Sequence, residues 1–547
     1  MTSAVFITWL PLIALFVPIA MLAGCLFEPL RMRMVNLLWL GPIPALAAAC
    51  FASGAPPIVI DWAPYQLVLA VDVPGAFLLG TAALLWIAAG VYAGAYLHQD
   101  SNCGRFAVCW LFTLIGSIGI FLAADIASFL LFYALVSLPA YGMVIHDAGQ
   151  STRRAGSIYM GFALLGEGVL LLAFVMLVSA AQGRSVRIAD LVTAMSTAPT
   201  RSVIMLLLIV GFGMKIAMVP LHFWMPLTYT AAPIPAAAVL SGAAVKAGLI
   251  GLIRFLPFGA EWPDWGNVLI VVGLIGAFFG VAIGVTQSNP KTVLAYSSVS
   301  QMGFLASLLG MGLSTGDRAI GIVTAFYGAH HVLVKGALFL AIGVSGVTGK
   351  SRFRFIVLWP ATLIALGLAG LPLTGGALAK LAAKGALGYG LVGTLATWSA
   401  AGTTLLMFHF LNRLSSMTHS EDGESPSIRL IVPWLGLVVA AIAVPWATFS
   451  LVGISSWNDV VAPSALWKVS WPLLVGGLLA IVVRRWGRHL PAIPSGDIVA
   501  LSERVTNMAA TLGAGCERLD GLLRQWQIAG TLLVSAIILL AIVLGCR

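Results

Sequence analysis

Four lysines, two histidines and one glutamate stand where charge is costly. Lys215, Lys246, Lys335 and Lys380 each fall inside a long apolar stretch, away from its ends. The chain has only eight lysines, and its arginines gather mostly between such stretches. An ammonium at a bilayer centre costs about 2.5–3.5 kcal/mol on insertion scales, so four cost about 10–14 kcal/mol. That rivals the whole stability of many domains. Such groups need partners, water or a chemical role. Lysine gives up its proton when desolvated, whereas arginine does not. Lysines inside and arginines outside is therefore the pattern of a proton-handling interior. Any one of these lysines could instead snorkel or cap a broken helix.

Tyr327, His331 and Lys335 recur at i, i+4 and i+8, on one face of an apolar helix, with His330 beside them. Histidine titrates near neutral pH and suits proton transfer; a hydrogen-bonded core histidine is the bland alternative. Tyr296, Ser297, Ser298, Ser300 and Gln301 could hold water between such groups or simply pack helices together. Acids are scarce: only Asp125 and Glu167 lie near or inside the central stretches. Glu167, flanked by apolar residues, needs a cation, and Lys215 on the next stretch is the natural candidate. A coupled pair and a purely structural ion pair both fit.

The elements that must carry these groups are membrane helices. Of 547 residues, 60% are hydrophobic and only 9% are Asp, Glu, Lys or Arg, against roughly 25% charged in an ordinary soluble domain. Disorder, collagen, coiled coil and nucleic-acid binding are excluded with solubility; the net charge of +10 comes from loop arginines rather than a basic patch. The apolar runs are long and unbroken, which argues against a transmembrane barrel. Spans are expected at roughly 5–27, 34–53, 75–97, 106–123, 126–146, 156–181, 202–226, 235–256, 266–286, 292–313, 318–347, 356–386, 388–410, 428–452, 470–484 and 528–546. Helices are the expected form, because each backbone polar group must be satisfied inside the segment.

Two spans carry breaks. Lys215 stands five residues before Pro220, and Lys380 follows Leu371-Pro372-Leu373-Thr374-Gly375-Gly376. Proline and glycine there free carbonyls and make room for water. Interrupted helices in corresponding places of two halves mark an inverted-repeat transporter. Arg31, Arg33, Arg105, Arg153, Arg154, Lys291, Lys350, Arg352 and Arg354 fall in alternate loops, which the positive-inside rule makes cytoplasmic, leaving the N-terminus outside. Arg184, Arg187 and Arg201 disagree. A polar segment near 495–526, with Ile498, Leu501, Val505, Met508 and Leu512 at helical spacing, reads as a surface or partner-facing amphipathic helix, or as a solvated linker helix.

Enzyme chemistry is not visible. The six cysteines form no CxxC pair or metal-ligand spacing, so no redox cofactor is expected in this chain. Gly346-Val-Thr-Gly-Lys-Ser351 lacks the first glycine of a phosphate loop, Val344 standing in its place. Leu22-Ala-Gly-Cys25 resembles a lipoprotein box, but no Lys or Arg precedes it within the first 20 residues.

Lys215-Ile-Ala-Met-Val-Pro-Leu-His-Phe-Trp-Met-Pro, the run from Ala231 to Gly248, Leu294-Ala-Tyr-Ser-Ser-Val-Ser-Gln-Met-Gly303, His331-Val-Leu-Val-Lys335 and Leu368 to Lys380 are motifs with a family likeness. Together they resemble the antiporter-like membrane subunits shared by respiratory complex I, Mrp-type Na⁺/H⁺ antiporters and membrane-bound hydrogenases. The resemblance covers roughly residues 110–400. It implies an all-α polytopic membrane protein of about 14 core helices in two inverted repeats with broken helices, plus about two C-terminal helices. The expected divisions are 1–105, a first repeat at 106–256, a second at 266–410 and a C-terminal part at 411–547. It also implies a line of water and ionisable groups, Lys215, Lys246, His331, Lys335 and Lys380, that moves protons in half-channels of the inner membrane. Flavin and iron–sulfur clusters are then expected only in hydrophilic redox partners, beside other antiporter-like subunits and lipid. An Mrp-type exchanger, an inorganic-carbon uptake subunit and a non-pumping structural anchor are the alternatives. One departure is plain: where the family has a glutamate on the fifth helix, this chain has Ala134. Either Glu167 substitutes from the sixth helix, which is the expected outcome, or the first half-channel works differently or is dead.

Overall fold

A computed structural model describes residues 3–62, 65–182, 185–347, 351–388, 390–417, 427–453, 460–486 and 493–494. The amphipathic segment near 495–526 and the span at 528–546 lie outside the described residues. The chain begins with helix α1 (Ser3–Gly24), short α2 (Glu28–Arg33) and α3 (Ile43–Phe51). A hairpin of β1 (Ile58–Trp62) and β2 (Tyr65–Leu69) follows, with Val59 opposite Val68. Then come α4 (Val73–Tyr96), α5 (Cys103–Leu122), α6 (Ile126–Ser137), α7 (Ala140–Val144), α8 (Gln150–Ala180), α9 (Ile188–Met195), α10 (Arg201–Lys215) and α11 (Trp224–Ala231). Next are α12 (Ile234–Val239), α13 (Lys246–Phe255), α14 (Pro263–Gly284), α15 (Pro290–Thr315) and α16 (Ile320–Val347). The described helices end with α17 (Ser351–Ala369), α18 (Gly375–Leu387), α19 (Leu391–Ser416), α20 (Ile428–Thr448) and α21 (Pro463–Trp486).

Twelve of the described helical spans are long and apolar enough to cross a membrane. The remaining predicted spans differ from straight helices for local reasons. The one at 34–53 bends by 67° between its two parts. Those at 202–226 and 356–386 are interrupted, as α10 with α11 and α17 with α18. The β-hairpin was not expected: its ten residues are too few to span a bilayer and too alternating to register as a helix.

Polar residues set the helix ends. Asp72 caps α4 by accepting from the Gly75 amide at 2.8 Å. Asp125 caps α6, accepting from the Ser128 amide at 2.8 Å and the Val68 amide at 2.6 Å, with the Ser128 hydroxyl on the same carboxylate. One of the two intramembrane acids is thus a structural cap. Arg254, near the end of α13, donates to Asp72 at 2.9 Å and to the Ile120, Phe121 and Ala123 carbonyls at 3.0, 2.6 and 2.7 Å. It satisfies the orphan carbonyls that end α5 and ties three helices together.

Burial is graded across the bundle. The spans Ile234–Phe255, Pro290–Thr315 and Ile320–Gly346 are wholly enclosed by protein, whereas α21 and α8 are largely exposed. α14 and α15 approach backbone to backbone: a Cβ at Gly273 would lie 2.5 Å from the Gly303 carbonyl oxygen, and one at Gly303 would lie 2.6 Å from that of Gly273. Small residues permit this contact, as between helices in lipid. The three enclosed spans carry Lys246, the serine–glutamine face of α15, and His330, His331 and Lys335.

Candidate functional site

α10 stops at Lys215, and α11 starts only at Trp224, with Pro220 in the gap. Ala217 holds the gap open in a left-handed conformation at φ 56° that side chains rarely adopt. Trp224 Nε1 bridges back to the Met214 carbonyl at 2.9 Å, satisfying part of the opened ladder. The Lys215 ammonium is thus buried at the negative end of a half-helix, where the dipole favours a cation. It donates to Ser137 Oγ at 2.7 Å and lies 5.5 and 5.9 Å from the Tyr133 and Tyr159 rings, within cation–π range.

Glu167 is half-buried on α8, in electrostatic reach of Lys215 and of the Ser137 hydroxyl. The two charges make no direct ion pair, and Oε1 of Glu167 has no hydrogen-bond partner in the protein. Ser137 stands between them, three residues beyond Ala134 on α6. Sequence reasoning missed this serine and both tyrosines; only their proximity on α6 and α8 to the expected counter-ion position could have flagged them.

A cavity lined by Tyr159, Lys215, Trp224, Thr228, Ala244 and Val245 leads from Lys215 toward the next lysine. There α12 passes into a wide turn, Leu240–Ala244, closed by the Val245 amide on the Leu240 carbonyl at 3.2 Å. Such one-turn π-bulges recur at functional sites. Lys246 opens α13 immediately after it and is fully buried. Its Nζ lies 3.0 Å from His331 Nδ1 on α16. Nε2 of that imidazole has no protein partner, a position that in buried polar sites is usually met by water.

The expected stripe on α16 is present, and each member faces a different neighbour. Tyr327 donates to Gln301 Oε1 at 2.7 Å, and Gln301 Nε2 donates to Thr403 Oγ1 on α19 at 3.0 Å. His331 faces Lys246. Lys335 donates to the Leu294 carbonyl on α15 at 2.8 Å. His330 points the other way, against the start of α18: a Cβ at Gly375 would lie 2.8 Å from its Nδ1, and one at Gly376 would lie 3.0 Å from its Nε2.

The second break mirrors the first. α17 ends at Ala369, and α18 starts at Gly375, with Pro372 between them and Leu373 left-handed at φ 62°. Lys380 reaches back from α18 to the Ala369 carbonyl, again placing an ammonium at the end of a half-helix. Lys380, Lys384, Gln301 and Tyr327 share the walls of one cavity. The structure therefore brings Glu167 into electrostatic reach of Lys215, Lys246 against His331, and His330 into electrostatic reach of Lys380, while Lys335 faces the Leu294 carbonyl. His222, in the first break against the Phe279 ring at 4.8 Å, is a buried titratable group that sequence reasoning passed over, although it lies within the quoted motif. Among the described residues no group of His, Cys, Asp and Glu could hold a metal.

A largely helical membrane protein with two interrupted helices, each presenting a lysine at the break, has the build of an antiporter-like subunit. A family model described as NADH:quinone oxidoreductase/Mrp antiporter, TM, matches residues 123–384. NADH-quinone oxidoreductase subunit N of Desulforudis audaxviator is 31% identical over 360 residues, covering 60% of this chain and 67% of that protein. Hydrogenase-4 component B of Escherichia coli is 29% identical over 291 residues, 51% of this chain but only 43% of that protein. A Na⁺/H⁺ antiporter subunit of Alkalihalophilus pseudofirmus is 25% identical over 338 residues, 59% and 67% of the two chains. This chain belongs to the antiporter-like membrane subunit family that complex I, Mrp antiporters and hydrogenases share, and it is a multi-pass membrane protein. Its fold is also that of a chain in the Mrp complex from Dietzia sp. DQ12-45-1b, with TM-score 0.76 and 21% identity over 98% of this chain and 63% of that one. The membrane-bound sulfane sulfur reductase, an archaeal respiratory membrane complex, contains a similar fold at TM-score 0.65 and 22% identity, over 86% and 99% of the two chains.

Proposed function

We propose that this chain translocates protons across the inner membrane as one subunit of a larger complex I-like or hydrogenase-like assembly. The observation that carries the reading is the Lys246–His331 contact, 3.0 Å long and wholly enclosed. Two positive charges that close strongly repel in a low-dielectric interior, so the pair holds one proton more readily than two. A proton reaching one member displaces the proton of the other. Lys215 with Glu167 loads the pair from one side, and Lys335, His330 and Lys380 pass the proton on. The two helix breaks supply the open carbonyls and cavities at which water joins the line.

In this reading the repeats run over about 106–256 and 266–410, the N-terminus lies outside, and any flavin or iron–sulfur cluster belongs to hydrophilic partners. An Mrp-type Na⁺/H⁺ exchange would use the same groups with a different driving ion. A second reading, a membrane anchor that no longer pumps, is favoured by one observation: Ala134 and the indirect Lys215–Glu167 contact leave the first lysine without a touching carboxylate. The test is proton flux in vesicles bearing the complete complex. K215M, K335M and K380M should each sharply reduce flux while the complex still assembles, and E167Q should do likewise. Wild-type flux in all four variants leaves only the anchor.

A further inference from the structure

The cavity beside Lys380 holds more positive charge than the proton line uses. Lys384 stands four residues beyond Lys380 on α18, on the same face. Lys468, exposed in the second turn of α21, lines the same cavity from a second helix. Lys384 and Lys468 lie within mutual electrostatic range. No carboxylate lines the cavity among the described residues. The wall hydroxyls are committed elsewhere: Thr397, Ser399 and Thr403 donate to backbone carbonyls at 2.7, 2.8 and 2.9 Å. What the cavity offers a ligand is positive charge: Lys380, Lys384 and Lys468 all line it.

Tryptophans flank the cavity. Trp398 and Trp471 meet edge to face at 5.5 Å beside Lys468, and Trp467 is 63% exposed. Tryptophan gathers at the membrane interface, with its apolar body in lipid and its N–H toward water. Lysine at a helix end reaches to the same level.

We propose that Lys384 and Lys468, with Lys380 at the inner end, form a binding site for an anion of phosphate chemistry, drawn from a lipid headgroup or from solution. Lysine binds phosphate as a point charge, and an anion among these three lysines supplies the negative charge that no side chain lining the cavity supplies. The bound anion removes the repulsion between Lys384 and Lys468 and holds α18 against α21. Lys380 belongs to the proposed proton line as well, but neither Lys384 nor Lys468 does, so the test turns on those two and loss of flux in K215M would not bear on it.

The test uses the full chain in nanodiscs. Phosphatidylglycerol is titrated into phosphatidylcholine discs in one arm, and inorganic phosphate is added to pure phosphatidylcholine discs in the other. Binding is read as bound lipid by native mass spectrometry and as the shift in thermal unfolding midpoint. The wild type should bind in at least one arm, K384Q/K468Q about tenfold more weakly, and K384R/K468R as the wild type does. A response to phosphatidylglycerol alone assigns the headgroup, and a response to inorganic phosphate alone assigns the soluble anion. If K384Q/K468Q fails to fold, K468Q alone, at an exposed position, should still show a weaker response. Equal binding by wild type and the glutamine variants in both arms overturns the site, as does a wild type that responds in neither.

Discussion

Lys246→Arg is the sharpest test of the proton line. It keeps the positive charge but fixes it, because a guanidinium does not give up its proton in a protein. Lys246 Nζ and His331 Nδ1 are 3.0 Å apart. Two unit charges at that separation repel by about 5.5 kcal/mol at an effective dielectric of about 20. That corresponds to a factor of about 10⁴ in the population of the doubly charged state. In the wild type the penalty never falls due, because the arriving proton replaces the departing one. In K246R every proton reaching His331 must bear it. Flux should drop to the background leak, and below that of K246M, in which His331 is freed of its charged neighbour. The assay is proton uptake by inside-out vesicles carrying the complete complex, with assembly checked in each variant. If K246R keeps more than half of wild-type flux, or exceeds K246M, the single-proton pair is wrong.

Three further outcomes follow from the geometry. Arg254→Leu leaves the α5 carbonyls and Asp72 without their donor and should destabilise the protein by about 3–5 kcal/mol, measured by unfolding in mild detergent; Arg254→Lys, with fewer donors, should recover only part. Leu373→Gly at φ 62° and 54% exposure should raise stability by about 1 kcal/mol, and a loss would show that the Leu373 side chain makes contacts worth more than the strain. On the loop after α4, burial raises the Asp100 carboxyl, but the Asn102 amide, the His146 ring at 2.8 Å and Arg105 outweigh it and hold the group below the usual carboxylate range. A depressed native value means stability that is full above the ordinary aspartate value and is lost as pH falls through the native one. Unfolding midpoints between neutral pH and about pH 3 should therefore show an acid limb that D100N lacks.

Much of this was legible because lipid makes charge conspicuous. Four lysines in apolar runs stand out in a way that the same lysines in a soluble protein would not, and the i, i+4, i+8 stripe needs only helical geometry to be read. Pro220, Pro372 and Gly375 announced the breaks for the same reason: in a membrane helix each freed carbonyl must find another partner. What the sequence could not disclose was who faces whom. The roles of Ser137, Tyr133 and Tyr159 depend on α6 and α8 closing over Lys215, and Gln301 meets Thr403 only because α15 and α19 pack together. Asp125 and Glu167 looked alike as isolated acids, but one is saturated by amide and hydroxyl donors and the other has an oxygen left over. The anion site needed three distant stretches, since Lys384, Lys468 and the tryptophans share no motif.

The wide turn at Leu240–Ala244 sets the angular phase of everything after it. Each residue of an α-helix advances the facing direction by about 100°, and the turn spends one extra residue before Lys246. Re-forming an ordinary α-helix over the same residues would swing Lys246 by about 100°, out of line with His331, whereas deleting the one extra residue would restore an ordinary helix with Lys246 still in place. The segment is therefore a counting device. Substitutions that straighten the turn without changing its length would disconnect the two halves of the line without altering a single ionisable group.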